Sequence, residues 1–407
     1  VLNPYEYHAS VSPLIKLLKK GHHGVELTDK EWQTLYNWID FNAPYHGKFK
    51  ANVFKGVEQI SRRTELTEKY AGSGVDWKAE IRSYADYLSK QEKPAAVKPE
   101  RKEYKDKEVK LKGWPFDAAT AKAMLSKETE TQKSIELAPG IRMNFVRVPA
   151  GSFVMGSNRG HSDYSPVSKQ VVKKAFWMGE IEVSNEQFRT IFPEHNSRFI
   201  GQLWKDHVHE GYPANNPEQP AIRVSWQEAM DFCKKLSEKT GLNVTLPTEV
   251  QWEWACRAGS DDDFWYGSLN TDFAKFENLA DVQLNKAAVR GVNPQPMNPN
   301  DSWYKYYTYQ PKENGVDDGN MLMVKGGSYQ ANPWGLYDMQ GNVAEWTRSD
   351  YMPYPYNEKA QDGTGTEKVA RGGSWTEHPK TCTSYYRKAY LPWQKVYNVG
   401  FRVIIED

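Results

Sequence analysis

Cysteine is scarce in this chain: three in 407 residues. An odd count leaves at least one thiol unpaired, so a disulfide-dense scaffold is excluded. The strings CxxC, CxxCH and HExxH are absent, which removes the common thioredoxin-type, haem-attachment and zinc-protease patterns. Net charge is nearly absent as well, with 53 Lys+Arg against 52 Asp+Glu. That balance supplies no chain-wide field for nucleic acid or for an anionic membrane. No apolar run approaches the roughly 18 residues of a membrane helix, and the mean hydropathy is −0.78. Phosphate-binding glycine loops and a flanked Ser/His/Asp triad are also missing.

What the chain has in quantity is aromatic bulk: 15 Trp, 24 Tyr and 15 Phe. Trp and Tyr join apolar area to a polar handle, which suits an irregular, loop-rich core or a ligand surface. The length predicts two or three domains. Three zones follow. Residues 1–90 read as a helical segment: Ser12-Pro13 opens one helix that Gly21 stops, and Thr28 with Glu31 forms a capping box for another carrying Trp32, Leu35, Tyr36 and Ile39. Residues 91–137 read as a linker, because the Lys/Glu-rich stretch with Pro94 and Pro99 at its start buries too little apolar surface to offset ordering. Residues 138–407 read as one domain of short elements and long loops. Within it Phe145–Val148 and Phe153–Met155 are predicted strands around the turn Pro149-Ala150-Gly151. Ser225 with Glu228 caps a helix running to Thr240 and stopped by Gly241, Pro247-Thr248 opens another, and Phe401–Ile405 is a terminal strand.

Cys233 falls on the apolar face of the first of these helices, in register with Trp226, Met230 and Leu236, and Cys256 follows Trp252 and Trp254. Both read as packing residues, and a Cys233–Cys256 disulfide stays open. His207, His209 and Glu210 form an HxHE string whose rings would share one face of a strand, and His22-His23 lies in a turn. These are either metal-ligand candidates or surface histidines. Arg223 and Arg371 are expected to pair with buried carboxylates or loop carbonyls.

Seven strings in order, VPAGSFVMGS, EVSNEQF, AIRVSWQEAMDFC, LPTEVQWEWACRAG, NPWGLYDMQGNVAEWTRSD, RGGSW and NVGFRV, resemble the formylglycine-generating enzyme (sulfatase-modifying factor) family over about residues 140–407. The resemblance implies an α+β, irregular, loop-rich fold of the C-type-lectin-like kind. It also implies oxidation of a substrate cysteine by oxygen at a copper ion held by two thiolates, a soft donor pair suited to Cu(I). In the family pattern GGS is followed by two residues, Cys, four residues and Cys. Here Cys382 takes the second cysteine and Glu377 takes the first, which replaces a soft sulfur by a hard oxygen. Trp346 and Ser374 match the pair that lines the family's oxygen pocket.

The resemblance further implies two calcium sites. One uses main-chain oxygens of Gln340, Gly341 and Val343 with the Glu345 carboxylate. The other uses Asn278, the Leu279 carbonyl, the Asp318 side chain and the Asn320 carbonyl. Both are hard oxygen sets of the kind calcium takes. Turn-forming roles for the same residues remain the alternative. The HxxxHxE string of the related sulfoxide-synthase branch is absent from residues 1–140. Two functions are therefore expected as rivals: a calcium-stabilised binding or scaffold module for a peptide, protein or glycan, or an oxygen-dependent thiol oxidase. Residues 12–47 resemble the tail of a planctomycete-type cytochrome c domain, without its haem attachment. With Val1 rather than Met at the start, a leader or upstream haem domain is expected to precede the chain. The family's usual setting and calcium use imply a periplasmic or extracellular location.

Overall fold

The computed structural model describes residues 12–21, 25–40, 68–69, 76–90, 109–159, 162–200, 212–285, 313–358, 361 and 365–407. The His22-His23 and HxHE (207–210) strings lie outside them. Two units are distinguished, residues 1–103 and residues 104–407. The first contains helices Pro13–Lys19, Asp29–Asp40 and Trp77–Lys90. The Thr28 capping box forms as expected: Glu31 N–H donates to Thr28 Oγ1 at 3.4 Å and Thr28 N–H donates to Glu31 Oε2 at 2.8 Å. Among the described residues no helix is long and apolar enough to cross a membrane.

The second unit is α+β. Its larger sheet has the order β1-β2-β5-β13-β8. The strands are β1 (Gln132–Ala138), β2 (Ile141–Val148), β5 (Phe176–Gly179), β13 (Ile404–Glu406) and β8 (Asn243–Thr245), paired antiparallel throughout. A second sheet, β11-β10-β9-β12, joins β11 (Arg387–Tyr390), β10 (Lys368–Arg371), β9 (Ala344–Asp350) and β12 (Val399–Gly400). Here β12 lies parallel to β9. Two-stranded ribbons are formed by β3 (Gly151–Met155) with β4 (Ser168–Val172), and by β6 (Phe199–Ile200) with β7 (Tyr212–Pro213).

Both long helices are set by their ends. Ser225 and Glu228 make a reciprocal capping box for Trp226–Thr240, which Gly241 ends at φ 71°; that left-handed conformation favours glycine. Thr248 and Gln251 do the same for Glu249–Arg257. This second helix is buried along nearly its whole length. Its Trp252 and Trp254 enter a core with Phe153, Trp334 and Trp114, while its carboxylates meet arginines. Glu253 pairs with Arg257 at 2.9 Å and with Arg371, and Glu249 pairs with Arg387 at 2.8 Å. Buried charges are tolerated because each is matched and hydrogen-bonded. Arg371 thus takes the structural role expected of it. Arg223 does so with loop carbonyls, donating to Ser197 O and Phe199 O.

Two expectations are corrected and one is refined. The 91–137 tract contains helix Ala118–Leu125 and β1, and it buries Trp114, Ala121 and Leu137 in the core. Composition at the charged start of that tract had masked the apolar residues that follow. Strands β2 and β3 form as expected on either side of the Pro149 turn, and they join different sheets: β2 lies between β1 and β5, while β3 pairs with β4. Finally, Phe401–Ile405 is not one strand. The chain leaves β12, crosses through buried Phe401, Arg402 and Val403, and enters β13 in the other sheet.

Candidate functional site

Strand β10 ends at Arg371 and runs into Gly372 and Gly373, at φ 90° and 71°. A Cβ at Gly373 would overlap the Cys382 sulfur. This close approach turns Ser374 inward, where its Oγ accepts from Asn398 Nδ2 at 2.8 Å. The same amide donates to Glu377 Oε1 at 3.3 Å. The Lys388 ammonium on β11 donates to that oxygen too, with the two side chains 22% and 15% exposed. The other Glu377 oxygen, Oε2, is buried without a hydrogen-bond partner among the described residues. Cys382 follows the short turn Pro379–Thr381, and its Sγ lies 3.6 Å from Glu377 O. The thiol is fully buried beside Phe264, Phe273, Leu279 and Val316. Burial pushes it up to about 12, so at neutral pH it stays a thiol.

Ser374 and Glu377 therefore share the Asn398 amide, and Cys382 joins them through the Glu377 main chain. Trp346 belongs to a different cluster, with Phe188, Phe232 and Phe401, and its Nε1 donates to Val224 O at 2.9 Å. Lys388 and Asn398 complete the pocket and went unrecognised in the sequence. Only the string NVGFRV, which contains Asn398, pointed to this region. Cys233, Cys256 and Cys382 are all free, so the open Cys233–Cys256 disulfide is not formed. Burial raises the thiol pKa of both helical cysteines.

The loop Gln340–Glu345 is knitted to this turn. Gly341 N–H donates to Gly372 O at 3.0 Å, Asn342 N–H to Asn278 O at 2.8 Å, and Trp375 N–H to Asn342 O at 3.1 Å. Gln340 spends its side-chain amide on Asp263 O and Ser384 Oγ, at 3.2 and 3.1 Å, and Val343 is core. The fully buried Glu345 carboxylate takes Trp252 Nε1 at 2.7 Å on Oε2 and Arg402 Nε at 2.8 Å on both oxygens. Its charge is thus matched by a guanidinium from the segment between β12 and β13, and the loop has no unmatched carboxylate of its own to offer an ion.

The Asp318 loop differs. Asp318 accepts from Leu279 N–H at 3.1 Å and from Asn320 N–H at 2.8 Å, while its own N–H donates to Asp281 Oδ2 at 2.6 Å. Burial, with the nearby Asp281 and Asp317 charges, pushes the Asp318 carboxyl up to about 7 against the pull of those N–H groups. Asn278 Nδ2 donates to Leu322 O at 2.8 Å, yet its buried Oδ1 has no partner among the described residues. An orphaned amide oxygen one residue before the Leu279 N–H that binds a carboxylate with no ion pair among the described residues fits a hard cation.

The chain matches the Sulfatase-modifying factor enzyme 1-like domain over residues 131–407. It belongs to that family. It is 25% identical over 307 residues to the formylglycine-generating enzyme of Mus musculus, covering 63% of this chain and 73% of the relative. It is 26% identical over 284 residues to the protein named inactive C-alpha-formylglycine-generating enzyme 2 of Bos taurus, covering 60% and 80%. Among solved structures, PvdO from Pseudomonas aeruginosa overlaps 69% of this chain and 100% of its own at TM-score 0.51 and 22% identity. That likeness shows the fold, and the fold is the C-type-lectin-like one expected. Which ligands the family member carries is decided by side chains, not by fold.

Proposed function

We propose that this family member is a binding or scaffold module in which an ion pair has replaced the two-thiolate metal pocket. The observation that carries the reading is the Glu377 carboxylate, bound to Lys388 and Asn398, while the fully buried Cys382 thiol reaches the main-chain oxygen of Glu377. One soft donor remains where linear Cu(I) ligation needs two, and the residue in the other family position offers a hard oxygen already matched by an ammonium. The residues present do not fit copper. They do fit one calcium ion, at Asn278, Leu279, Asp318 and Asn320, where the ion would tie together two loop segments short of regular hydrogen bonds. At Gln340, Gly341, Val343 and Glu345, Arg402 already supplies the positive charge.

The test uses the full chain with Cu(I) in competition with a chelator, and with a cysteine peptide in aerated buffer, followed by aldehyde labelling. The expected result is no copper above background and no aldehyde. Stoichiometric copper that is lost on Cys382→Ala, together with aldehyde formation, would establish the thiol-oxidase reading instead.

A further inference from the structure

A cavity of about 370 Å³ opens beside the start of β1, and the loop Asn332–Tyr337 lines it. That loop is fixed from within. Asn332, 3% exposed, accepts from Trp334 N–H at 3.0 Å and from Leu336 N–H at 3.2 Å, and gives its amide to Ala255 O at 2.8 Å. Gly335 makes the turn at φ 89°, a conformation that favours glycine. The loop is also tied at two points to the walls of the cavity. Trp334 Nε1 donates to Ala121 O at 3.1 Å, in helix Ala118–Leu125. Tyr337 N–H donates to Glu180 O at 3.0 Å, just past β5. Helix and β5 end thus stand as two walls held by one rigid loop, and a site built this way is preorganised.

Each wall contributes one charge to the lining: Lys122 from the helix and Glu180 after β5. Lys122 is exposed and Glu180 half-buried. Neither side chain has an ion pair or hydrogen bond among the described residues, and they do not pair with each other. The charges nearby are matched. Arg147 pairs with Glu128 at 3.3 Å and with Asp407 at 2.5 Å, and Lys133 lies over the Trp177 ring at 4.8 Å. Thr131, Gln132 and Tyr337 add a hydroxyl, an amide and a phenol that bond nothing among the described residues. Leu125 and Pro333 add apolar surface.

We propose that this cavity binds a small dipolar ligand of the dipeptide type, its carboxylate on Lys122 and its ammonium on Glu180. A simple anion would face Glu180, and a simple cation would face Lys122; a ligand carrying both charges satisfies the two walls together. The lysine ammonium offers three donors to a carboxylate, and the glutamate accepts from an ammonium in a charge-assisted bond. The volume lies at the small end of ligand cavities, which suits two residues rather than a long peptide. The hydroxyl, amide and phenol suit the peptide unit, and Leu125 with Pro333 suit an apolar side chain. The site shares no residue with the Ser374–Glu377–Cys382 pocket or with the Asp318 loop, and it does not rest on the reading of either.

The experiment titrates the full chain with the dipeptide Gly-Leu and with its N-acetyl and C-amide derivatives, read by calorimetry and ligand-observed NMR. Gly-Leu is expected to saturate a single site, and each blocked derivative to bind about fivefold more weakly or worse. Lys122→Ala should weaken Gly-Leu by about fivefold and leave the C-amide at its wild-type affinity, since that derivative has already lost the partner. Glu180→Gln should do the same for Gly-Leu and the N-acetyl form, and Lys122→Arg should keep binding. Unchanged melting temperatures would show the variants folded. Absence of Gly-Leu binding at millimolar concentration overturns the proposal. So does unchanged Gly-Leu affinity in either Lys122→Ala or Glu180→Gln, and so do blocked derivatives that bind as tightly as the free dipeptide.

Discussion

At the scale of single residues, the pocket around Ser374 and Cys382 turns on Gly373 and Glu377. Gly373 has a positive φ and leaves no room for a Cβ against Cys382. Gly373→Ala is expected to cost about 3 kcal/mol, from overpacking plus left-handed strain. Urea unfolding would measure it, and a change within about 0.5 kcal/mol would contradict the close approach. The motif made Ser374, Glu377 and Cys382 readable in the sequence, because all three lie within one short turn. Lys388 and Asn398 were not readable. They reach the pocket from β11 and from the residue before β12, and no local pattern ties them to Glu377. Glu345 teaches the same lesson. A calcium carboxylate was expected, yet its partner Arg402 arrives from 57 residues further along.

At the scale of elements, helix ends were the most legible feature. Ser225/Glu228, Thr248/Gln251 and Gly241 act as written, since capping is settled within one turn of chain. Strand partners were not legible, because alternation marks a strand without saying which edge it joins. Composition also misplaced the start of the folded domain. Trp114 meets Phe116, Phe153 and Trp254 at ring-centroid distances of 5.7, 5.7 and 5.9 Å. Trp114→Ala is expected to destabilise the 104–407 unit by about 3–5 kcal/mol. Denaturant unfolding checks it: a value under about 1 kcal/mol would return residue 114 to the linker.

At the scale of the whole molecule, buried acids set an unusual pH response. Burial and mutual repulsion hold Glu182 and Glu277 well above the usual carboxylate range, and Asp318 is raised to about 7. Folded protein then keeps protons that the unfolded chain releases near pH 4. The stabilisation from these groups is complete below that value and is lost as pH rises through the folded pKa values. In chelator, the melting temperature is expected to fall from about pH 5 to about pH 8. Calcium should shrink the fall by supplying positive charge to the ionised carboxylates. A melting temperature that climbs steadily over this range in chelator would refute the assignment.

The family strings, the α+β class, the helix caps and the Glu377 in place of a cysteine are all legible along the chain. These depend on neighbours a few residues apart or on ordered motifs along the chain. Which charges meet is settled by folding: Glu377 with Lys388, Glu345 with Arg402. A buried carboxylate's state depends on its solvation and on charges brought from distant segments, and neither is written in local order.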